Sequence, residues 1–582
     1  MMSIAGGMRI ETLASHRRVL ESRLFQPEAS LGALHCDSRR CDARTGFLAL
    51  PGLRTDGHRF VDAALAAGAP ALFVSRREVF ERIAAHPTPH LSGVFLVQPD
   101  RRVLAELAGD LHGWPDRNLT LLGVTGTNGK TTVTHLVAQM LAALGRDCAV
   151  AGTLGLCLGG KDVRPEPAAA GQGFPAGNTT PEAPDLHAFF HRCLENGTST
   201  VAMEVSSHGL VMERTWGMTF AAAGFTNLSQ DHLDFHGSME AYREAKFGLF
   251  FDAPRVRPVA NVDDPAGKDL VARWNQDSGN LNSGNQNRKE GERGNGGVKR
   301  GDPSQAPAFT VSLESVSLES AARKEGGGMG ADLSLTDLRR EGGGMAGTLV
   351  LREGGTPFRA PFHLPMLGRF NLSNWLVAAG MLLAAGKGGE GGLPEDFGLT
   401  DPALELARAA KSCTGAPGRF ERVPLDAPFT VIVDYAHTPD ALENLLATAR
   451  ELAGEVGGRL RVAFGAGGDR DREKRPLMGA AAERWADAMI LTNDNPRSED
   501  PETILAEIAT GLKGRVPAAS IADRREAIAE LLAQAAPGDV IVIAGKGDEP
   551  YQEIAGVKHP FDDRKVVRDW AGARGLGAGE EG

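Results

Sequence analysis

The densest chemistry in this chain sits in Leu121-Leu-Gly-Val-Thr-Gly-Thr-Asn-Gly-Lys-Thr-Thr132, where an apolar run ends in a glycine-rich turn and a helix begins. Strand, glycine loop and helix start together form an anion cradle. Backbone N–H groups point at phosphates, Lys130 adds positive charge, and the Thr131 hydroxyl suits Mg²⁺. The usual P-loop pattern needs a glycine five residues before Gly129, where Val124 stands; the glycine is Gly126 instead. A second group is spaced along the following segments: Glu204 ends the apolar stretch Thr200–Val205, His232 follows Phe225–Asp231, and Lys246 lies fourteen residues beyond His232. Glu204 and Thr131 suit one Mg²⁺. By themselves Glu204 and His232 serve equally as structural residues, and a helical lysine is usually just solvated. A third group comprises Phe464-Gly-Ala-Gly-Gly-Asp-Arg-Asp-Arg-Glu-Lys-Arg-Pro476, Asp494-Asn-Pro-Arg497 and Gly545-Lys-Gly-Asp-Glu549, each after an apolar run. Arg497 can grip a carboxylate with its planar fork and Glu549 can take an ammonium, a pair that suits an amino acid zwitterion.

The elements that must position these groups fall into three blocks, expected at 1–115, 116–412 and 413–582. In the first, short strands (Phe47–Leu50, Ala71–Val74) flank a helix over Phe60–Ala67. The second continues from the phosphate loop through a helix over Met239–Phe251, strands at Thr348–Leu351 and Phe358–Phe362, and a helix from Asn371 to Ala385. The third alternates strands (Thr430–Val433, Arg461–Phe464, Ala488–Leu491, Val540–Ala544) with helices (Asp440–Ala453, Gly479–Ala486, Ile504–Leu512, Arg525–Ala533). Such alternation implies parallel sheets whose ligands gather at the carboxyl ends of strands. The fold class read from this is α/β: a small N-terminal domain, a central P-loop ATPase-like domain with a mostly parallel sheet, and a Rossmann-like C-terminal domain. Between Gln276 and Gln305 the only aliphatic residues are Leu281 and Val298, so disorder is expected there. Glu-Gly-Gly-Gly-Met occurs at 325–329 and again at 341–345, and reads as loop expansion.

Composition narrows the function classes. A chain of 582 residues exceeds a single core. A net charge of −11 argues against a nucleic-acid or anionic-membrane surface as the main partner. No apolar run approaches the roughly 20 residues that span a bilayer, and Met1–Gln26 lacks the apolar core of a secretion signal. Six scattered cysteines without a CxxC pair read as reduced thiols. A cytoplasmic monomer is expected, without nucleic acid or membrane insertion.

Thr125-Gly-Thr-Asn-Gly-Lys-Thr-Thr132 resembles the ATP loop of the Mur ligase and folylpolyglutamate synthase superfamily, whose members use ATP to join an amino acid to a carboxylate. Glu204-Val-Ser-Ser-His208, Thr226-Asn-Leu-Ser-Gln-Asp-His-Leu-Asp234 and Tyr242-Arg-Glu-Ala-Lys-Phe247 are similar to successive Mur ligase motifs. The resemblance covers nearly the whole chain apart from the insert and both termini. It implies ATP contacts at Gly126, Thr127, Asn128, Gly129, Lys130, Thr131, Thr132, Asn374, Arg419, Asp434 and His437, the last three closing from the C-terminal block. It implies Mg²⁺ held by Thr131, Glu204, His232 and Lys246, the lysine as a carbamate, with Lys130, Lys246 and His232 catalytic.

The third group resembles the branch of the family that adds meso-diaminopimelate, whose signature is Asp-Asn-Pro-Arg. Diaminopimelate contacts are then implied at Arg470, Asp494, Asn495, Pro496, Arg497, Gly545 and Glu549. Ser38 would contact the uridine diphosphate of UDP-MurNAc-L-Ala-D-Glu, and Thr179, Thr180, Ser206 and Arg214 its muramoyl-peptide. Met212 replaces a polar glutamine of some relatives, and Asp548 a histidine of many. The implied activity is ATP-dependent amide formation through an acyl phosphate, in peptidoglycan precursor synthesis. Three alternatives remain: the same ligation with L-lysine or another amino acid, a folylpolyglutamate synthase, and a nucleotide-dependent switch without ligase activity.

Overall fold

A computed structural model describes residues 7–52, 55–158, 178–253, 256–282, 306–313, 331–341, 343–352, 356–386 and 401–577. Three sheets organise the chain, each within one expected block. The first has five strands in the order Val19–Leu24, Gly93–Val97, Ala71–Val74, Thr45–Ala49, Ala33–His35; only the Val19–Leu24 edge runs antiparallel.

The second sheet has ten strands, and its parallel centre places Thr120–Thr125 between Thr200–Glu204 and Ala222–Phe225. Their carboxyl ends carry the phosphate loop, Glu204 and the segment leading to His232. These strands are buried throughout, which is why they read as unbroken apolar runs and not as alternating ones. The Arg369–Gly386 helix is apolar on every face, with Trp375, Leu376, Val377 and Met381 fully buried against the sheet and the Lys130–Ala143 helix. That burial fixes where its one turn of polar residues, Asn371 and Asn374, must face.

The third sheet has six strands in the order Glu421–Val423, Thr430–Asp434, Val540–Ala544, Leu460–Phe464, Ala488–Leu491, Ala518–Ser520, all parallel except the first. Strand order reverses around Val540–Ala544, the topological position where open α/β sheets leave a crevice at their carboxyl ends.

Several expectations are corrected. The disordered insert was expected from Gln276, yet the Pro265–Asn282 helix runs through its first residues; 283–305 lie outside the described residues. The second Glu-Gly-Gly-Gly-Met begins at the end of the Leu333–Glu341 strand and runs into its antiparallel partner Gly344–Leu351, while the first copy lies outside the described residues. The helix expected from Gly479 starts at Lys474, because Pro476 in a first turn lacks only an N–H that would be unpaired anyway. All six cysteines are free thiols, as read from their spacing; burial pushes Cys148, Cys157, Cys193 and Cys413 up to about 12.

Candidate active site

Gly126 and Gly129 both have positive φ, +148° and +89°, and a Cβ on either would overlap Thr226 Oγ1 or Asn374 Oδ1. Only glycine lets the loop press against these two side chains. The loop is bolted to the neighbouring motif. Thr226 Oγ1 donates to Asn128 O (2.6 Å), Asn128 N donates to Asn227 Oδ1 (3.0 Å), and Ser229 N donates to Thr127 Oγ1 (3.0 Å). Lys130 Nζ donates to the loop carbonyls of Gly126 (3.0 Å) and Thr127 (2.8 Å). Burial lowers the Lys130 pKa, and Glu204 and Asp231 oppose that shift. Thr131 and Thr132 are buried in the first helical turn.

Lys246 is buried at 1% exposure, its Nζ donating to Gly126 O (2.7 Å) and lying 4.2 Å from the centre of the Tyr242 ring. Burial, and then the Lys130 charge, hold its pKa well below the ordinary lysine value. An amine with that preference for neutrality is a nucleophile. Glu204 is buried and accepts from Thr153 N (2.8 Å) and Thr153 Oγ1 (3.2 Å). His232 takes the left-handed conformation (φ +53°), and its half-exposed ring lies 4.8 Å edge-on from His208 and 3.3 Å from Asp231. Among the described residues no three His, Cys, Asp or Glu side chains form a closed metal cage. The donor types present, a hydroxyl, a carboxylate and an imidazole beside a phosphate loop, fit the open coordination in which Mg²⁺ shares its ligands with nucleotide phosphates.

Across the N-terminal sheet edge, Ser38 opens a short 3₁₀ turn capped by Asp37, whose carboxylate accepts from Arg39 N (3.0 Å). Arg40 of the same turn forks onto Asp185 (2.7 and 3.0 Å), three residues after Glu182. Thr180 Oγ1 donates to Glu204 O (3.0 Å) and accepts from Ser206 N (2.9 Å); Arg214 donates to Thr180 O (2.8 Å); Thr179 Oγ1 accepts from Thr153 Oγ1 (3.3 Å). The four residues expected at the muramoyl-peptide thus flank the same wall as Glu204, with Ser38, expected at the uridine diphosphate, on the same turn as Arg40.

The C-terminal block reaches the loop. Arg419 stacks 4.0 Å over the Tyr435 ring and lies 3.5 Å from Thr131 Oγ1. Asp434 accepts from Phe420 N (2.6 Å) and Ala436 N (2.7 Å), and burial raises its pKa against the pull of Arg419. Asp434 does not cap the next helix; Thr438 does. Burial and the Lys474 charge lower the pKa of His437, whose Nδ1 lies 2.9 Å from Tyr435 O. Asp440, unassigned from the sequence, accepts from Asn128 Nδ2 (3.0 Å) and Ser229 Oγ (2.8 Å).

The remaining motifs meet at the third sheet's switch point. Arg497 is left-handed (φ +52°), held by Arg497 N to Glu553 O (3.0 Å) and Ala555 N to Arg497 O (2.7 Å). Such a conformation costs a non-glycine residue about 1–2 kcal/mol, and strain of this kind gathers at ligand sites. Its guanidinium donates to Gly468 O (2.6 Å), and a Cβ on Gly467 would sit between Arg497 and Arg470. Asn495 Nδ2 donates to Glu549 Oε2 (2.8 Å), Gln552 donates to Asp494 O (2.8 Å), and Gly545 (φ +118°) faces the Asp494 carboxylate. Sequence reasoning missed Lys546, although it sits inside a quoted motif: it is wholly buried between Asp494, Asn495 and Glu549. Asp548, pushed up to about 6 by burial, lies next to Gly418.

Comparison with known proteins matches residues 31–110 to the Mur ligase family catalytic domain, 124–322 to the Mur ligase middle domain and 418–547 to the Mur ligase glutamate ligase domain. A relative from Synechococcus sp. (strain WH7803), a UDP-N-acetylmuramoyl-L-alanyl-D-glutamate--2,6-diaminopimelate ligase, is 40% identical across 93% of this chain and 95% of its own. The chain belongs to the Mur ligase family. A solved structure of a ligase with that same name is 32% identical to this Mur ligase, covers 98% of it and 99% of itself, and superposes with a TM-score of 0.58. MurF from Thermotoga maritima, solved with ADP, shares the fold at 17% identity and a TM-score of 0.53, covering 88% of this Mur ligase and 93% of itself. No helix among the described residues is long and apolar enough to cross a membrane.

Proposed function

We propose that this Mur ligase couples ATP to amide formation between the D-glutamate γ-carboxylate of UDP-MurNAc-L-Ala-D-Glu and one amine of meso-diaminopimelate, in cytoplasmic peptidoglycan precursor synthesis. The observation that carries it is the crevice at Asp494–Arg497, where the Arg497 guanidinium and the Glu549 carboxylate follow the ends of two strands that flank Leu460–Phe464, with Asn495 bonded to Glu549. L-Lysine has no distal carboxylate to repay the cost of desolvating and straining Arg497.

The chain's own residues divide the work. Ser38, Thr179, Thr180, Ser206 and Arg214 hold the nucleotide dipeptide with its carboxylate beside Glu204 and the loop. Gly126–Thr132 and Asn374 cradle ATP, and Lys130 leaves its loop carbonyls for the transferred phosphate, whose charge the helix start also stabilises. Thr131, Glu204, His232 and carbamylated Lys246 would hold Mg²⁺, which when bound neutralises phosphate charge during transfer. The low-pKa Lys246 amine can attack carbon dioxide to form that carbamate. Arg419, Asp434 and His437 close over the nucleotide, and Arg470, Asp494–Arg497, Gly545 and Glu549 orient diaminopimelate so that its free amine meets the acyl phosphate. Phosphate then departs as the amide forms. The domain limits 1–115, 116–412 and 413–582 go with this division: the nucleotide dipeptide spans the first two blocks, ATP lies in the second, diaminopimelate lies in the third, and closure of the third is part of the cycle.

The test is phosphate release with ATP, Mg²⁺ and the nucleotide dipeptide, with meso-diaminopimelate or L-lysine added in parallel and product masses measured. Turnover confined to diaminopimelate supports the reading. Preference for lysine keeps the ligase and sinks the pocket assignment; release indifferent to every acceptor leaves a switch ATPase.

A further inference from the structure

Lys546 is fully buried, and its ammonium lies 2.9 Å from Glu549 Oε2, 3.0 Å from Asn495 Oδ1 and 3.5 Å from Asp494 Oδ1. A buried ammonium is expensive unless it is paired, and here two hydrogen-bond acceptors and the Asp494 carboxylate surround it. Each of those acceptors belongs to the crevice assigned to the incoming amino acid. Asn495 receives Lys546 on Oδ1 and therefore turns its amide nitrogen to the same Glu549 oxygen (2.8 Å). Glu549 is thereby gripped twice through Oε2, and its Oε1 keeps its capacity to accept from a substrate ammonium.

The second consequence is charge. Asp494 and Glu549 bring two negative charges to the crevice floor, and Lys546 returns one; at the rim, Arg497 faces Glu553 at 3.6 Å. With Lys546 in place the floor carries one net negative charge, enough for the ammonium of a zwitterion while Arg497 takes its carboxylate. Without it the floor would carry two, a field that favours a side chain ending in a bare ammonium and repels a carboxylate.

We propose that Lys546 is a positioning and specificity-determining residue: it sets Asn495 and Glu549 and holds the floor at the charge that selects a zwitterionic distal centre over a simple amine. This rests on the diaminopimelate reading of the crevice.

The experiment measures kcat/KM for meso-diaminopimelate and for L-lysine with the full-length wild type and Lys546→Met, together with KM for ATP. The expected result is a diaminopimelate-to-lysine ratio at least about tenfold lower in the variant, carried by KM for the amino acid, with KM for ATP unchanged. An unchanged ratio in a variant that still binds ATP overturns the proposal, since a merely structural lysine would lower both substrates alike. If Lys546→Met no longer binds ATP, Lys546→Gln, which keeps a donor and removes the charge, is judged by the same ratio. Wild-type enzyme that prefers lysine would refute the diaminopimelate reading and overturn the proposal with it, whereas an unchanged ratio in a wild type that prefers diaminopimelate overturns the proposal alone.

Discussion

The two junctions of the molecule are built differently. Where the N-terminal and central blocks meet, ion pairs partly withdrawn from solvent interlock. Glu106, 2% exposed, accepts from Arg17 and twice from Arg18 within the N-terminal block and from Trp216 across the junction, and Glu182 takes Arg101 (2.7 Å) across it and Arg214 (2.8 Å) within the central block. Arg102 stacks 3.8 Å over Trp216 and pairs with Glu213, and Arg40 forks onto Asp185. Where the central and C-terminal blocks meet, hydrogen bonds link Asp440 to Asn128 and Ser229 and Gln139 to Thr414 and Gly415, Arg419 lies beside Thr131, and the ion pairs are wetter: Arg340 to Glu451 and Glu455, which are 65% and 50% exposed. Desolvated charges commit two bodies to one arrangement, whereas exposed pairs let go at little cost. The first junction is a platform for the nucleotide dipeptide. The second can open for ATP and close with the amino acid.

Breaking the platform should cost most. Glu106→Ala strands Arg18 and should lose about 3–5 kcal/mol of stability at pH 7, read from urea unfolding. Its partners hold the Glu106 carboxyl down to about 2, so its contribution is present above the ordinary carboxylate range and fades as pH falls towards 2. The deficit of Glu106→Ala should shrink over that window; a deficit independent of pH would contradict the ion-pair account.

At the second junction, Asp440→Ala should leave stability nearly intact yet lower kcat/KM for ATP by about tenfold, the scale of one lost charged hydrogen bond. An equal loss of stability would show the closed junction to be as rigid as the first.

Asp548 gives the opposite pH sign from Glu106. Burial raises it to about 6, so its stabilising protonated form is fully present below the ordinary carboxylate pKa and is lost as pH rises through about 6. Asp548→Asn should therefore gain roughly 1–2 kcal/mol at pH 8 after solvent screening and nothing at pH 4, in thermal unfolding at the two pH values. The smallest effect belongs to Arg340→Ala, below about 1 kcal/mol and abolished by salt.

The sequence made the sheets legible because buried parallel strands leave continuous apolar runs; Ala71–Val74, Ala488–Leu491 and Val540–Ala544 match their strands end to end. The phosphate loop, Glu204, Asp434, Asp494 and Gly545 were legible for the same reason, since each stands where such a run stops; Lys246 and Asn374 sit inside helices and were singled out only by the family resemblance. The first junction left no trace. Arg101 and Glu182 are 81 positions apart, Arg40 and Asp185 145, and an arginine in a loop has no periodicity to betray its partner. Lys546 was illegible because a lysine between two glycines reads as a solvated turn, and its burial depends on the hairpin of Tyr551–Ile554 and Val557–Pro560, which no alternation announced. The early limit of the insert failed because Gln276–Asn282 simply continue a helix begun among better helix formers.

The central claim is that ATP activates a carboxylate for attack by an amine, and the most direct test is the fate of that carboxylate's oxygen. With ¹⁸O in the D-glutamate γ-carboxylate and ATP, Mg²⁺ and meso-diaminopimelate present, each turnover should deliver one ¹⁸O into the released phosphate. Unlabelled phosphate, formed at the same rate with or without diaminopimelate, would mean that water attacks ATP and that the ligase account is wrong.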